Sequence, residues 1–334
     1  MKYIGEADYQ HGSKETVGIL ITNLGTPDAA TKKALRPYLK EFLSDTRVIE
    51  TPKIVWQLIL NLIILNTRPA KSAEAYKEVW TDNGSPILDT SIKQVEKLKK
   101  QFPNYVFALG MRYGNPSIDA GLLELRNKGA RKILVLPLYP QYSAATTAST
   151  FDKVTSILQK WRWIPEMRFV NNYFEEPSYI EAIANSISET RKEHGIPDLT
   201  VFSYHGVPKQ YLVKGDPYHC FCRKTTRLVK EHLELEDSDV MTTFQSRFGP
   251  AEWLTPYTDE TMKSLPKEGY KNIHVLCPGF SADCLETIEE IDGENREYFE
   301  ESGGEKFVYI PCLNDNNDSI NMLTNVITKH TTNW

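Results

Sequence analysis

The sequence predicts an α/β protein of two doubly wound halves, each with a four-stranded parallel sheet flanked by helices. Three observations lead there. Eight short apolar runs rich in β-branched and aromatic residues punctuate the 334 residues. Segments with helical spacing separate most of them. Chemistry-bearing residues gather just after the runs. Strands alternating with helices imply parallel sheets covered on both faces, and such sheets bind ligands beyond the carboxyl ends of their strands.

The runs, in order, are GILITNLG (18–25), YVFALGM (105–111), KILVLPLY (132–139), EMRFVNNY (166–173), TVFSYHG (200–206), VMTTFQS (240–246), NIHVLCPGF (272–280) and KFVYIPCL (306–313). Helical spacing is clear in Ser91–Phe102, with Ile92, Val95 and Leu98 on one side, and again in Ser178–His194. Longer gaps after Asp28 and Ser143 leave room for extra helices. The Trp-rich join KWRWIP (160–165) suggests the break, giving expected domains of 1–165 and 166–315. The stretch Ser319–Lys329 reads as a helix, so 316–334 is expected to pack back on the first domain.

Composition excludes several classes. A net charge of −5 without a basic run argues against a nucleic-acid binder. The start, MKYIGEADYQHGS, lacks the apolar core of a secretory signal. Five cysteines, an odd number, favour a reduced cytosolic setting without a disulfide framework. The greasiest run, Val55–Leu65, is broken by Gln57 and Asn61 and is shorter than the roughly 20 apolar residues that span a bilayer. It reads either as a buried helix or as an apolar lip touching a membrane surface or a greasy ligand. No G-x-G-x-x-G follows a strand and no G-x-x-x-x-G-K-[ST] occurs, so the usual nucleotide phosphate cradles are missing.

His205 ends the fifth run, before a Gly-Val-Pro turn. An imidazole there is either a core group bonded to a neighbouring carbonyl or a proton acceptor that titrates near neutrality. Beyond the seventh run, Ser281–Phe299 reads as a helix capped by Ser281 and stopped by Gly303-Gly304. Asp283, Glu286, Glu290 and Glu294, spaced +3, +4 and +4, would then form one acidic file. Such like charges cost about 0.2–0.5 kcal/mol per pair unless solvent or a cation uses them. A base and an acidic file at the same sheet edge suit chemistry that takes in a metal and gives off protons.

The strings FSYHGVP, GDPY, TFQSRFGPAEWLTPYTDE and CPGFSADCLETIEEI together resemble the ferrochelatases, enzymes that insert ferrous iron into protoporphyrin. NLGTP, TRPAKSAEAY with GSPI, FALGMRYG and LPLYPQYSAATTAS agree, so the likeness runs from about Gly18 to the end and is greatest with the compact bacterial form. The resemblance implies two Rossmann-like domains of class II chelatase type, with protoporphyrin IX between them and Fe²⁺ as substrate. By motif, His205 matches the family's catalytic histidine and Glu286 the carboxylate facing it, both also metal contacts. Asp283, Glu290 and Glu294 match an acidic path for protons or metal. Leu24, Arg112, Tyr113, Tyr142, Trp253 and Phe280 match residues that line the porphyrin pocket. An apolar Leu24 makes metal ligation from that side doubtful. The likeness also turns Val55–Leu65 towards the lip reading, with transient contact at the inner face of the membrane by a cytoplasmic protein.

Some members of the family carry a [2Fe–2S] cluster. The arrangement that uses a C-terminal extension does not apply here, because Ala144 stands at its YPQYS-C position and no cysteine follows Cys312. An internal arrangement on Cys220, Cys222, Cys277 and Cys284 is the alternative to ordinary thiols and no required cofactor. Two other functional readings stay open on the residues alone: a chelatase for another metal and tetrapyrrole, and a haem carrier using His205 as axial ligand.

Overall fold

The computed structural model describes residues 3–7 and 9–334; Met1, Lys2 and Asp8, and with them part of the N-terminal reading, lie outside the described residues. The first sheet contains β1 (Thr16–Thr26), β2 (Val106–Gly114), β3 (Ala130–Pro137) and β4 (Glu166–Phe169), in the order β2-β1-β3-β4. The second contains β5 (Leu199–His205), β6 (Val240–Gln245), β7 (Asn272–Leu276) and β8 (Lys306–Ile310), in the order β6-β5-β7-β8. Every strand pair is parallel. The two sheets thus share one winding, with the first strand of each set central.

Unbroken apolar runs make these strands because both faces are covered. Ile19, Leu20 and Ile21 of β1 are all at 0% exposure, which leaves no place for an alternating polar face. In the first sheet Leu20, Ile133 and Val135 pack with Ile118, Leu122 and Val154 from flanking helices. In the second, Val201, Ile273 and Val275 pack with Met262, Leu265 and Phe299.

The chain divides into two compact units. The first takes in residues up to Leu138, Ala144–Asn171 and Leu323–Trp334; the second takes in Tyr139–Ser143 and Asn172–Met322. This corrects the expected break at residue 166. β4 pairs with β3, Lys132 opposite Glu166, and so completes the first sheet instead of opening the second. The short loop Tyr139–Ser143 belongs to the second unit because Gln141 donates there to Tyr179 and Thr225, at 3.3 and 3.1 Å. The C-terminal helix runs Asn317–Thr331, and its last residues are tied to β4. Arg168 donates to the His330 carbonyl at 2.7 Å, and Trp334 Nε1 to Glu166 at 2.6 Å. Its opening residues, through Met322, group with the second unit.

The acidic segment also departs from expectation. Cys284, not Ser281, caps it, donating its N–H to Thr287 Oγ1 at 2.9 Å. One short α turn, Leu285–Thr287, gives way to a π-helix at Ile288–Asn295 before α-helix resumes at Arg296–Glu301. The expected stop holds: Gly303 has φ +96°, and Gly304 N–H caps the Phe299 carbonyl at 2.9 Å.

The Val55–Leu65 run forms helix Lys53–Ile59 and a π turn at Leu60–Ile64. It is not a buried helix. Leu60 and Leu65 point inward, but Ile54, Leu58, Leu62 and Ile63 are 81, 58, 69 and 58% exposed.

Candidate active site

In both sheets the winding reverses between the first and third strands, so a crevice opens at the carboxyl ends of β1 and β3, and likewise of β5 and β7. A glycine stands near the carboxyl end of the central strand in each case, Gly25 within β1 and Gly206 just after β5, because a neighbouring backbone comes too close for a side chain. A Cβ on Gly25 would lie 1.8 Å from the Tyr113 carbonyl oxygen, and one on Gly206 would lie 2.8 Å from that of Gln245.

In the second unit, His205 is the last residue of β5, half-buried and level with Gln245 of β6. Its Nδ1 lies 2.7 Å from the Gly206 carbonyl. A carbonyl only accepts, so Nδ1 carries the hydrogen and Nε2 is the bare, basic nitrogen. Phe280, beyond β7, stands with its ring 6.4 Å from the imidazole. Trp253 is held by its indole N–H on the Phe248 carbonyl at 2.9 Å and by a bridge to Pro208.

Glu290, in the π-helix, is the most enclosed of the acidic residues. Its Oε1 accepts from Ser246 N–H at 2.7 Å; its Oε2 accepts from Ser246 Oγ and, at 3.2 Å, from Gln245 Nε2. Burial pushes the carboxyl above the usual range, against the pull of the Ser246 hydrogen bond, the nearby His205 and Gln245, and the Glu286 charge adds to the rise. Glu290 is therefore close enough to His205 and to Glu286 to feel the charge of both. Glu286 sits half-buried one turn earlier, against the Cys284 thiol, and Glu294 lies exposed at the outer end. No lysine or arginine among the described residues forms an ion pair with these three. Arg247 is taken by Asp259 and Glu260, and Arg296 by Asp292 and Glu300.

Asp283 does not join the file. It precedes the cap, and its carboxylate accepts from Tyr309 at 2.6 Å, Asn314 at 2.7 Å, Thr287 at 3.1 Å and the Cys312 N–H at 3.3 Å. It anchors the loop from β7 into the helix.

In the first unit Leu24 is half-buried near the end of β1. Arg112 and Tyr113 face inward to a carboxylate that the motifs did not flag. Asp45 Oδ2 accepts from Arg112 Nη2 at 2.5 Å, from Ser149 Oγ at 2.5 Å and from the Tyr113 hydroxyl at 2.8 Å. Burial would raise Asp45, but the hydrogen bonds of Ser149 and Arg47 and the Arg112 charge outweigh it and hold the carboxyl low. Tyr113 is only 1% exposed, so it supports Arg112 from within. Tyr142 is half-buried in the loop assigned to the second unit.

Of the four cysteines considered for a cluster, Cys220 is exposed while Cys222, Cys277 and Cys284 are buried, and burial pushes those three thiols well up. Among the described residues, no group of three or more His, Cys, Asp or Glu is placed to hold a metal ion.

Sequence reasoning missed Gln245, Ser246, Asp45 and Ser149. Two of them, Gln245 and Ser246, lie in the FQSRFGP string, but nothing in that string announces which carboxylate they hold.

Comparison with known proteins identifies the family. The Ferrochelatase family model matches residues 16–331. Ferrochelatase from Hydrogenovibrio crunogenus is 62% identical, over 100% of this chain and 91% of that protein. Ferrochelatase from Thioalkalivibrio sulfidiphilus is 54% identical, over 100% and 92%. Among solved structures, SirB from Bacillus subtilis with Fe3+ aligns with TM-score 0.58 at 13% identity, covering 95% of this chain and 96% of that one; the likeness is one of fold. The chain belongs to the ferrochelatase family.

Proposed function

We infer that this chain is a metal chelatase, by reaction class a lyase, that inserts ferrous iron into protoporphyrin IX to make protohaem in haem synthesis. One observation carries the site assignment. A histidine with a bare Nε2 ends the central strand at the switch point of the second sheet, beside carboxylates that no lysine or arginine among the described residues pairs with.

The chemistry follows from those groups. A free-base porphyrin must lose two pyrrole protons as Fe²⁺ enters. His205 Nε2 accepts a proton from a pyrrole nitrogen and becomes imidazolium. The Glu290 carboxylate takes the proton on and Glu294 passes it to solvent, which frees Nε2 to accept the second pyrrole proton by the same route. Glu286 exchanges water from the hard dication and orients it, as oxygen ligands do. Each insertion exchanges one dication for two protons, so the net charge of the site is restored. A porphyrin bent out of plane exposes its nitrogen lone pairs, and Phe280 and Trp253 offer apolar surface to hold such a ring. Iron enters here as a substrate to be handed on and not as a resident cofactor.

A haem carrier would use the same histidine as an axial ligand, but it has no use for unbalanced carboxylates behind it. Anaerobic mixing of protein, protoporphyrin IX and Fe²⁺ tests the two. Many-turnover loss of porphyrin fluorescence is expected; stoichiometric binding without turnover would favour the carrier. The exposed apolar residues Ile54, Leu58, Leu62 and Ile63 support contact with a membrane surface, where a greasy substrate resides. No helix among the described residues is long and apolar enough to cross a membrane.

A further inference from the structure

β6 ends at Gln245, and the next residue, Ser246, has φ +63°. That left-handed conformation is uncommon outside glycine, asparagine and aspartate, and it persists where surrounding contacts over-determine it. Here the contacts converge on one side chain. Ser246 offers both its N–H and its hydroxyl to Glu290. Gln245 is locked from the other side. Its Oε1 accepts from the buried Ser203 hydroxyl at 2.8 Å; Ser203 Oγ lies 3.0 Å from Thr258 Oγ1, which donates to Thr243 Oγ1 at 2.9 Å. With its oxygen fixed, the amide must present Nε2 to the Glu286 carbonyl, at 2.7 Å, and to Glu290. Ser203, Thr243 and Thr258 are at most 1% exposed, so the lock is dry.

We propose that Gln245 and Ser246 are positioning residues for proton transfer: they fix the Glu290 carboxylate beside His205 and keep it able to accept a proton. Three donors to one carboxylate favour its charged form, whereas burial and Glu286 favour the neutral one. The balance leaves a carboxyl that takes a proton from imidazolium and still gives it up. The left-handed turn at Ser246 is what aims two donors from one residue at the two oxygens of the same carboxylate. The inference rests on the reading of this site as the metal-insertion centre.

Ser246→Gly is the decisive variant, because it keeps the N–H, suits the backbone angle and removes only the hydroxyl. In the full-length protein, kcat for Fe²⁺ insertion is expected to fall about tenfold at neutral pH, and the acidic limb of its pH profile to move up by about one unit, the effect of one charge-assisted hydrogen bond. KM for porphyrin and the urea midpoint should not fall. Ser246→Asn, which tolerates the same φ and offers a side-chain donor, should lie between Gly and wild type. The infrared band of the protonated Glu290 carboxyl, assigned by its loss in Glu290→Gln, should titrate at higher pH in Ser246→Gly. That reading needs no turnover, so it separates failure of this inference from failure of the assigned function. An unshifted carboxyl band, or a drop in kcat with an unmoved pH profile, overturns the proposal.

Discussion

The two units wind their strands in the same order, yet they do opposite things with charge around their carboxylates. In the first unit Asp45 is answered inside the protein by Arg112, Ser149 and Tyr113, and its carboxyl is held low. In the second unit Glu286 and Glu290 form no ion pair with a lysine or arginine among the described residues, and Glu290 is pushed up. One edge is finished structure; the other is left wanting a cation. The fold repeats one strand order in both units, and the side chains set on it differ.

The largest effect should come from removing the base. His205→Ala is expected to lower metal insertion by about 10²–10⁴-fold, the usual worth of a positioned general base, with unfolding unchanged. Next come paired charge deletions that set the two edges against each other. Asp45→Asn leaves Arg112 buried without its counter-charge and should cost about 3–5 kcal/mol in urea unfolding. Glu290→Gln should cost activity but no stability, because a carboxyl pushed upward is already destabilised by its charge at neutral pH. Equal losses of stability at both edges would erase the contrast.

Stability against pH sharpens it further. Asp45, held low, stabilises the fold above its ordinary value of 3.8, and that contribution disappears as pH falls through its folded value. Glu290 acts in the opposite sense, its penalty growing as pH rises through its raised value. A third group adds to acid lability. His274, at 0% exposure in β7, is pushed down to about 4 by burial and by the charges of Arg191, His194 and Lys306. The unfolded chain takes up a proton near 6.5 that the folded chain refuses, so stability should fall between those two values as pH drops. The slope is at most about 1.4 kcal/mol per pH unit. His274→Leu should flatten that part of the curve.

Much of this was legible in the sequence for definable reasons. Strands buried on both faces write themselves as unbroken apolar runs, so all eight can be read. A histidine closing such a run lands at a ligand-binding edge by topology alone. The break at residue 166 misleads because β4 follows its crossover helix through a Trp-rich join that looks like a linker but leads into the edge of the first sheet. The π-helix is unreadable because an i+4 acidic spacing serves an α turn and a π turn almost equally. Asp283 fits the spacing yet sits outside the helix, since Cys284 and not Ser281 makes the cap. The partnership of Asp45 with Arg112 spans 67 residues and leaves no local signal.

The smallest effect concerns the apolar surface of the first unit. Ile54→Ser with Leu62→Ser should change stability by less than about 0.5 kcal/mol, because both side chains are exposed, while reducing co-sedimentation with phospholipid vesicles. Unaltered vesicle binding would remove the membrane from the account.

The most direct test is anaerobic single-turnover insertion of Fe²⁺ by wild type and Glu290→Gln across pH. If the unbalanced carboxylate relays protons from His205, the variant should be slower by at least about tenfold and lose the acidic limb of the profile. Identical rates and profiles for the two proteins would contradict the claim that the second edge is built to move charge.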